Sequence, residues 1–338
     1  MRDFYVDDGV TSVASVTEAI QLAEQAQKLC AIGGLRLHKF VCNDKLVLES
    51  IPPAQHATEG KTLDLTLGNT NLERALGIHW HIESDSFRFR IDLKDQPDTR
   101  RGMLSTVASL YDPLGLVAPF LLTGKKMLQE MCKHGTGWDD PLTDELKPAW
   151  RKWKDDLQNL EKIIIPRCYV PADFGNVLQR EIHHFSDAST SGYGQCSYLR
   201  QVNENGSVHC TLIMAKSRVA PIKVITIPRL ELTAAVVSVV TSDVLKEELG
   251  FAGIHEYFWT DSKVVLGYIN NESRRFHTFV SNRIQKIHLS SNSQQWRYVP
   301  SDKTRLTLPQ EVHVLVNFSH QSGLLVLTSC GRRQYLQL

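Results

Sequence analysis

The 338-residue sequence has almost no net charge, because 38 Lys and Arg residues are balanced by 37 Asp and Glu residues. It therefore lacks an overall basic surface for nucleic acid, and any such binding must come from local patches. It also lacks a long apolar run: the longest, residues 114–122, is too short to span a bilayer and contains a proline. The polar, acidic start shows no signal peptide, so these absences predict an intracellular chain, cytoplasmic or nuclear, with no membrane partner.

Cysteines are few and follow no ligand pattern. The seven are odd in number and include no Cys-x-x-Cys pair, which argues against a zinc knuckle or a disulfide framework and favours a reduced setting. Asp-Thr-Gly and Asp-Ser-Gly, the triplets that place the catalytic carboxylate of an aspartic protease, are also absent. A hydrophobic content of 42% and a charged content of 22% are ordinary for a globular protein of two or three domains.

An adjacent pair of aspartates lies near the start of the chain, in the segment Phe-Tyr-Val-Asp-Asp-Gly at residues 4–9. Two carboxylates at a tight turn between strands are suitable ligands for a divalent metal. Most such pairs are solvated turns, but Tyr-Val-Asp-Asp resembles the catalytic turn of reverse transcriptases. The resemblance implies that Asp7 and Asp8 bind the polymerase metals, with Tyr5 beside them in the substrate site.

The residues that follow predict the remainder of a polymerase palm over residues 1–95. Residues 15–18 (Ser-Val-Thr-Glu) have the form of a capping box, and they open an amphipathic helix that stops at Gly33. Alternation in residues 35–40 predicts a strand, on which the resemblance implies that Lys39 meets the incoming phosphates; an exposed strand lysine is the alternative. In reverse transcriptases another metal-binding aspartate precedes the turn, so we expect no polymerisation by this chain alone, and a missing N-terminal half is a candidate partner.

Residues 96–170 are predicted to form a thumb or connection region. Three motifs occur there: Arg-Arg-x-x-Leu-Ser at 100–105, Tyr-Asp-Pro-Leu-Gly-Leu at 111–116 and Trp-Asp-x-Pro-Leu at 138–142. Together they strongly resemble the region after the palm in Bel/Pao-type retrotransposon polyproteins, and the resemblance extends to about residue 303. It implies a fragment of a pol polyprotein, in which part of a reverse transcriptase is followed by a ribonuclease H-like domain.

The order of elements over residues 176–303 predicts that ribonuclease H-like domain. Three strands joined by turns precede a long helix, a fourth strand, two further helices and a last strand. The strands are predicted at 182–188, 192–198, 208–215, 256–260 and 296–300, and the long helix runs from Pro228 to about Gly250. The fold class is thus α+β together with α/β, with a mixed five-stranded sheet and helices after the partial palm.

Three acids fall where a ribonuclease H-like fold has its metal ligands. Asp187 lies at the end of the first strand, Glu231 lies in the first helix and Asp261 comes at the end of the fourth strand. The resemblance implies that they cleave the RNA strand of RNA–DNA hybrids with Mg²⁺, or with Mn²⁺. Such chemistry requires two metal ions about 3.5–4 Å apart, held by converging carboxylates. Taken singly, each acid has the alternative role of a surface or capping residue.

The sequence departs from the family pattern after the last strand, where the family has a fourth carboxylate within Asn-Pro-Ala-Asp-x-x-Ser-Arg-Gly. Residues 303–312 do not match this segment, but codons exist for them whose other reading frame encodes it. We therefore hypothesise a frameshift near Lys303, which would make residues 304–338 a tail without a designed fold. The missing acid would stand at Thr307, so we expect the nuclease activity to be weak or lost.

The best local basic patch lies within residues 274–288. Arg283 and Lys286 in this patch are predicted to contact the backbone of a hybrid duplex, where they would read its shape and 2′-hydroxyls but no sequence. An exposed helix face is the alternative. Two other accounts of the whole chain are a non-catalytic protein that binds hybrids or other partners, and a decayed element whose product folds poorly.

Overall fold

The computed structural model describes residues 4–5, 8–9, 11–57, 62–64, 76–82, 84–91, 95–251, 253–271, 273, 275–300, 305–308 and 312–315. The chain divides into two compact units. The first comprises Met1–Gly68, Ile78–Phe89 and Ile163–Arg167, and the second comprises Asn69–Gly77, Arg90–Lys162 and Cys168–Leu338. Among the described residues, no helix combines the length and the apolar character needed to cross a membrane.

The first unit contains a short hairpin, two helices and most of a four-stranded sheet. Its elements are β1 (Phe4–Tyr5), β2 (Asp8–Gly9), α1 (Val16–Ile32), α2 (Lys45–Glu49), β3 (Thr62–Asp64), β4 (Leu76–His81), β5 (Ser86–Ile91) and β6 (Ile164–Pro166). The sheet has the order β3-β4-β5-β6, with β3 antiparallel to β4 and β5 antiparallel to β6.

Helix α1 confirms its predicted start, whereas the strand predicted after it is wrong. The Ser15 hydroxyl accepts a hydrogen bond from the Glu18 N–H at 3.2 Å, and the Glu18 carboxylate accepts one from the Ala14 N–H at 3.1 Å. Residues 35–40, all within the described range, form no strand. Lys39 has a φ of 61°, and this left-handed conformation interrupts the extended backbone that a strand requires.

The second unit begins with three helices and continues with the predicted nuclease-like domain. Its elements are α3 (Arg100–Ser109), α4 (Ala118–Lys133), α5 (Leu146–Leu157), β7 (Val177–Ala188), β8 (Gly192–Asn203), β9 (Val208–Val219), α6 (Ile227–Leu249), β10 (His255–Thr260), α7 (Lys263–Ile269), α8 (Thr278–Ser290), β11 (Trp296–Tyr298), β12 (Arg305–Leu308) and β13 (Val312–Leu315). Strands β12 and β13 pair as an antiparallel hairpin.

Strands β7 to β11 form one mixed sheet in the order β11-β10-β7-β8-β9. Strands β7, β8 and β9 are antiparallel neighbours, whereas β10 runs parallel to both β7 and β11. Helix α6 makes the crossover that a parallel partner requires. The mixed five-stranded sheet of a ribonuclease H-like fold is therefore confirmed, together with the predicted position of each of its strands.

Helix α6 supplies much of the core on one face of this sheet. Pro228 lies in its first turn, where a missing N–H costs nothing, and Gly250 ends the helix with a φ of 63°. Leu232 from α6, Phe258 from β10 and Ile287 from α8 belong to one cluster and are fully buried. Burial of each such side chain stabilises the folded state by about 1.5–3 kcal/mol. This packing fixes α6 and α8 on the sheet and so holds the ends of its strands in place.

Two of the three sequence motifs bind each other. The Arg101 guanidinium forms two hydrogen bonds with the Asp139 carboxylate, at 2.7 and 3.0 Å, and the Arg101 N–H donates to the Trp138 carbonyl at 2.8 Å. The Arg100 guanidinium lies 4.2 Å from the centroid of the Trp138 ring. The Arg-Arg and Trp-Asp motifs therefore form one cluster at the start of α3.

The motif between them attaches the helices to the sheet. The Asp112 carboxylate accepts hydrogen bonds from the N–H groups of Leu116 and Val117, at 2.8 and 2.9 Å, just before α4. The Ala215 N–H on β9 donates to the Leu114 carbonyl at 2.7 Å. Gly115 has a φ of 73°, and a Cβ there would lie 1.8 Å from the Ala215 carbonyl oxygen, so only glycine fits this turn.

Candidate active site

Two of the three predicted acids are neighbours at one edge of the mixed sheet. On the parallel strands β7 and β10, Ser186 is aligned with Thr260. Asp187 and Asp261 each follow one of these aligned residues, so their backbones are adjacent at the carboxyl ends of two strands. Neighbouring strands lie about 4.7–4.9 Å apart, a spacing from which two carboxylates can reach a common ion.

The third acid, Glu231 on α6, is linked to the same edge by a serine. Ser262 directly follows Asp261, and its hydroxyl donates a hydrogen bond to Glu231 Oε2 at 2.7 Å. The same hydroxyl accepts from the Val265 N–H at 3.2 Å and thereby caps α7. Ser262 is buried, so one hydroxyl both starts a helix and orients the carboxylate of the neighbouring helix.

Two of the acids affect the ionisation of a neighbouring group, Asp261 that of Glu231 and Asp187 that of Cys196. Burial raises the pKa of Glu231, the Ser262 hydrogen bond lowers it, and the negative charge of Asp261 raises it. Burial also raises the pKa of the Cys196 thiol on β8, and the charge of Asp187 adds to this shift. An edge where negative charges oppose one another's ionisation favours a cation.

The acids offer only oxygen donors, which are the ligands that Mg²⁺ and Mn²⁺ prefer. Among the described residues, no three Asp, Glu, His or Cys side chains are grouped closely enough to form a metal site. The adjacent backbone positions of Asp187 and Asp261 and their oxygen donors suit a divalent ion, but the described side chains do not converge on one point. The side chains would have to turn toward one another to bind it.

The position of the fourth acid is described only in part. The Val299 N–H donates to the Thr260 carbonyl at 3.0 Å, so the chain leaves β11 beside Asp261. Thr307, where the missing acid would stand, lies in β12, and only its backbone is described. Residues 301–304, which include the predicted frameshift point, lie outside the described residues. The frameshift stays a prediction.

The predicted polymerase turn is likewise described in part. Strands β1 and β2 are antiparallel, with Tyr5 opposite Asp8, as a tight turn between strands requires. Asp7 lies outside the described residues, and only the backbone of Tyr5 and Asp8 is described. Lys39 is exposed and left-handed. The metal-binding and substrate-binding roles of these four residues stay predictions.

The two cations predicted to contact nucleic acid make contacts within the second unit. The Arg283 guanidinium lies 3.5 Å from the centroid of the Phe279 ring, and its Nε–H donates to Thr233 Oγ1 on α6 at 3.1 Å. Burial lowers the pKa of Arg283. Lys286 Nζ lies 3.4 Å from Asp243 Oδ2, also on α6. These contacts join α8 to α6, so a structural role accounts for both cations, and their binding of substrate stays a prediction.

Sequence reasoning misses Ser262 as a member of the site. A serine directly before a helix indicates an N-cap, and the sequence carries no other signal for Ser262. Its bond to Glu231 joins two residues 31 positions apart and depends on how α6 crosses from β9 to β10.

A protein-family model matches the region that holds the motifs and the acids. Residues 99–262 match the model described as the Pao retrotransposon-like RNaseH-like domain. Over this segment the chain is similar to that family's RNaseH-like domain, and we call the segment the Pao-type domain. The match begins at the first motif and ends directly after Asp261, so the Pao-type domain contains Asp187 and Glu231 as well. The predicted resemblance to Pao-type retrotransposons is confirmed over this range, and the domain is of retroelement origin.

Three solved structures are similar to the chain at low identity. RNase H1 from the halophilic archaeon Halobacterium salinarum NRC-1 is 12% identical, with a TM-score of 0.23, over 36% of this chain and 87% of that chain. LC11-RNase H1 in complex with an RNA/DNA hybrid is 11% identical, with a TM-score of 0.26, over 37% and 88%. The foamy viral protease-reverse transcriptase in complex with double-stranded DNA is 14% identical, with a TM-score of 0.40, over 88% and 44%. No curated protein matches the chain.

Proposed function

We propose that the Pao-type domain is a metal-dependent ribonuclease that cleaves the RNA strand of RNA–DNA hybrids. The observation that carries this proposal is the alignment of β7 with β10, from which Asp187 and Asp261 emerge side by side. The hydrogen bond from Ser262 to Glu231 connects the third acid to the same edge. Three oxygen ligands on separate elements are what a ribonuclease of this fold requires.

Mg²⁺ or Mn²⁺ bound by these acids would activate a water and stabilise the leaving 3′-oxygen of the scissile phosphodiester. Asp187 and Asp261 would supply ligands from the rigid sheet edge. Ser262 engages one oxygen of Glu231, so the other oxygen would be the one available to a metal ion. The family has a fourth acid within Asn-Pro-Ala-Asp-x-x-Ser-Arg-Gly, and residues 303–312 do not match that segment. We therefore expect weak activity or binding alone.

Cleavage of a labelled RNA–DNA hybrid by the purified chain, in Mg²⁺ and in Mn²⁺, tests this proposal. Asp187→Asn should abolish cleavage, because it removes a ligand without changing side-chain volume. Asp173→Asn, at an exposed aspartate of the same unit, should cleave like the wild type. Cleavage that survives in Asp187→Asn would contradict the assigned site. Hybrid binding without cleavage by the folded wild type would favour the non-catalytic alternative.

We also propose that residues 1–95 derive from a reverse-transcriptase palm, a proposal supported by the antiparallel pairing of Tyr5 with Asp8. Two carboxylates from one turn supply few ligands for a pair of metal ions, so we expect no primer extension by this chain. Extension of a DNA primer on an RNA template is the measurement. Extension that disappears in Asp8→Asn would reveal a working polymerase site and contradict this expectation.

A further inference from the structure

A lysine beside the acids faces solvent. Lys263 is the first residue of α7, two positions after Asp261 and next to the Ser262 that holds Glu231. Its side chain is exposed. Within the described residues its ammonium makes no ion pair, whereas Lys286 on α8 pairs with a carboxylate of α6. A cation in this position keeps its charge available to an anion from solution.

Tyr298 is the aromatic neighbour of this lysine. The Lys263 ammonium lies 5.1 Å from the centroid of the Tyr298 ring. Tyr298 ends β11 and is aligned with Thr260, the residue before Asp261. Tyr298 is 41% exposed as a residue, so part of its surface remains in water at the edge of the site. An exposed ring beside an exposed ammonium suits a nucleotide, whose sugar or base packs on the ring while its phosphate meets the cation.

We propose that Lys263 and Tyr298 bind the sugar–phosphate backbone of a nucleic acid next to the three acids. Lys263 takes a phosphate and Tyr298 packs against the adjoining nucleotide. The inference rests on the proposed function, since it assigns a substrate contact of that site. It adds a lysine at the sheet edge to the backbone contacts predicted for Arg283 and Lys286. A phosphate contact adds affinity and register but reads no sequence.

Binding measured without turnover tests this assignment. The probe is a fluorescein-labelled RNA–DNA hybrid, followed by anisotropy in EDTA at several salt concentrations. Lys263→Gln should weaken binding roughly three- to tenfold and lower the slope of log K against log salt by about one, because one phosphate contact is lost. Lys263→Arg should keep the slope. Lys152→Gln, which removes the same charge from an exposed position of α5, should bind like the wild type.

Tyrosine variants test the aromatic half of the surface. Tyr298→Ala should weaken binding roughly three- to tenfold, as expected for the loss of one stacked ring, whereas Tyr298→Phe should bind normally. Matching thermal melts of all variants establish that they are folded.

The outcomes separate this inference from the proposed function. Equal weakening by Lys263→Gln and Lys152→Gln, or an unchanged salt slope in Lys263→Gln, would overturn the assignment and leave the nuclease proposal standing. A folded wild type that binds no hybrid would overturn both. A wild type that binds without cleaving would remove the nuclease proposal, while a reduced slope in Lys263→Gln would still support the backbone contact.

Discussion

Helices α1 and α6 are both long and capped, yet only one is part of a core. Ten residues of α6 are buried, and they pack against the mixed sheet and α8. No residue of α1 is buried, and Leu29 and Ile32 are 66% and 85% exposed. An amphipathic pattern therefore indicates a helix, whereas burial of its apolar face requires a partner surface from elsewhere in the chain.

The same contrast separates the two candidate sites. The acids of the Pao-type domain emerge from strands and a helix that share a packed core, so their backbone positions are held by many contacts. Asp8 emerges from a hairpin whose strands have two residues each, and such a hairpin has little stability by itself. Four pairs of variants test this difference between packed and exposed parts of the molecule.

The largest difference in the free energy of unfolding should come from shortening one apolar side chain that packs with α6 and one on α1. Phe258→Ala should reduce the free energy of unfolding by about 3–5 kcal/mol, because it leaves a cavity in a fully buried cluster. Leu29→Ala on α1 should change it by less than about 0.5 kcal/mol, since that side chain is exposed. Urea unfolding followed by tryptophan fluorescence measures both. Equal losses would show that α1 has a core of its own.

Substitution of two glycines by alanine should give the next largest difference in the free energy of unfolding. Gly115 and Gly135 both have positive φ, at 73° and 67°. A Cβ at Gly115 would collide with the Ala215 carbonyl, whereas nothing lies within 4 Å of one at Gly135. We expect Gly115→Ala to reduce the free energy of unfolding by about 2–4 kcal/mol and Gly135→Ala by about 1 kcal/mol. Similar melting temperatures for the two variants would contradict the attachment of this turn to β9.

The pH dependence of stability should differ between a buried histidine of the mixed sheet and an exposed histidine. Burial lowers the pKa of His183 on β7 to about 4, from 6.5, and its Nδ1 accepts a hydrogen bond from the Trp259 indole at 3.1 Å. The folded state therefore keeps the ring neutral while the unfolded chain takes up a proton. Above about pH 6.5 the ring is neutral in both states and costs no stability. As the pH falls toward about 4, the free energy of unfolding decreases by about 2–3 kcal/mol.

Unfolding at about pH 7 and about pH 4.5 measures this effect. His183→Gln should reduce the pH dependence, whereas His38→Gln, at an exposed histidine of the first unit, should leave it unchanged. A His183 ring that titrates in the folded protein near its ordinary value, seen by NMR, would contradict the expectation.

The smallest difference should come from two serine caps. Ser262 and Ser15 each accept a hydrogen bond from a helix N–H at 3.2 Å, but Ser262 is buried and also holds Glu231. Ser262→Ala should reduce the free energy of unfolding by about 1–2 kcal/mol and Ser15→Ala by about 0.5 kcal/mol. Calorimetric titration should also show weaker Mn²⁺ binding in Ser262→Ala, with recovery in Ser262→Thr. Unchanged Mn²⁺ binding in Ser262→Ala would show that Ser262 caps α7 without supporting a metal site.

Local signals explain why so much of the second unit was predictable. A proline in the first turn and a glycine at the end bound α6, and alternation marks the strands, so each element depends on residues a few positions apart. The failure at residues 35–40 has a local cause of another kind, since alternation predicts an extended backbone but gives no sign that Lys39 is left-handed. Contacts of Arg283 and Lys286 were unpredictable because their partners lie on another helix.

The candidate acids Asp187, Glu231 and Asp261, the elements that carry them and the three Pao-type motifs can all be found in the sequence alone. The folded chain adds that Asp187 and Asp261 are neighbours, that Ser262 bonds to Glu231 and that Lys263 faces solvent beside them. The reason is physical. Caps, turns and periodicity arise from interactions within one element, whereas strand register and the choice of hydrogen-bond partner arise from long-range pairing that no short stretch of sequence encodes.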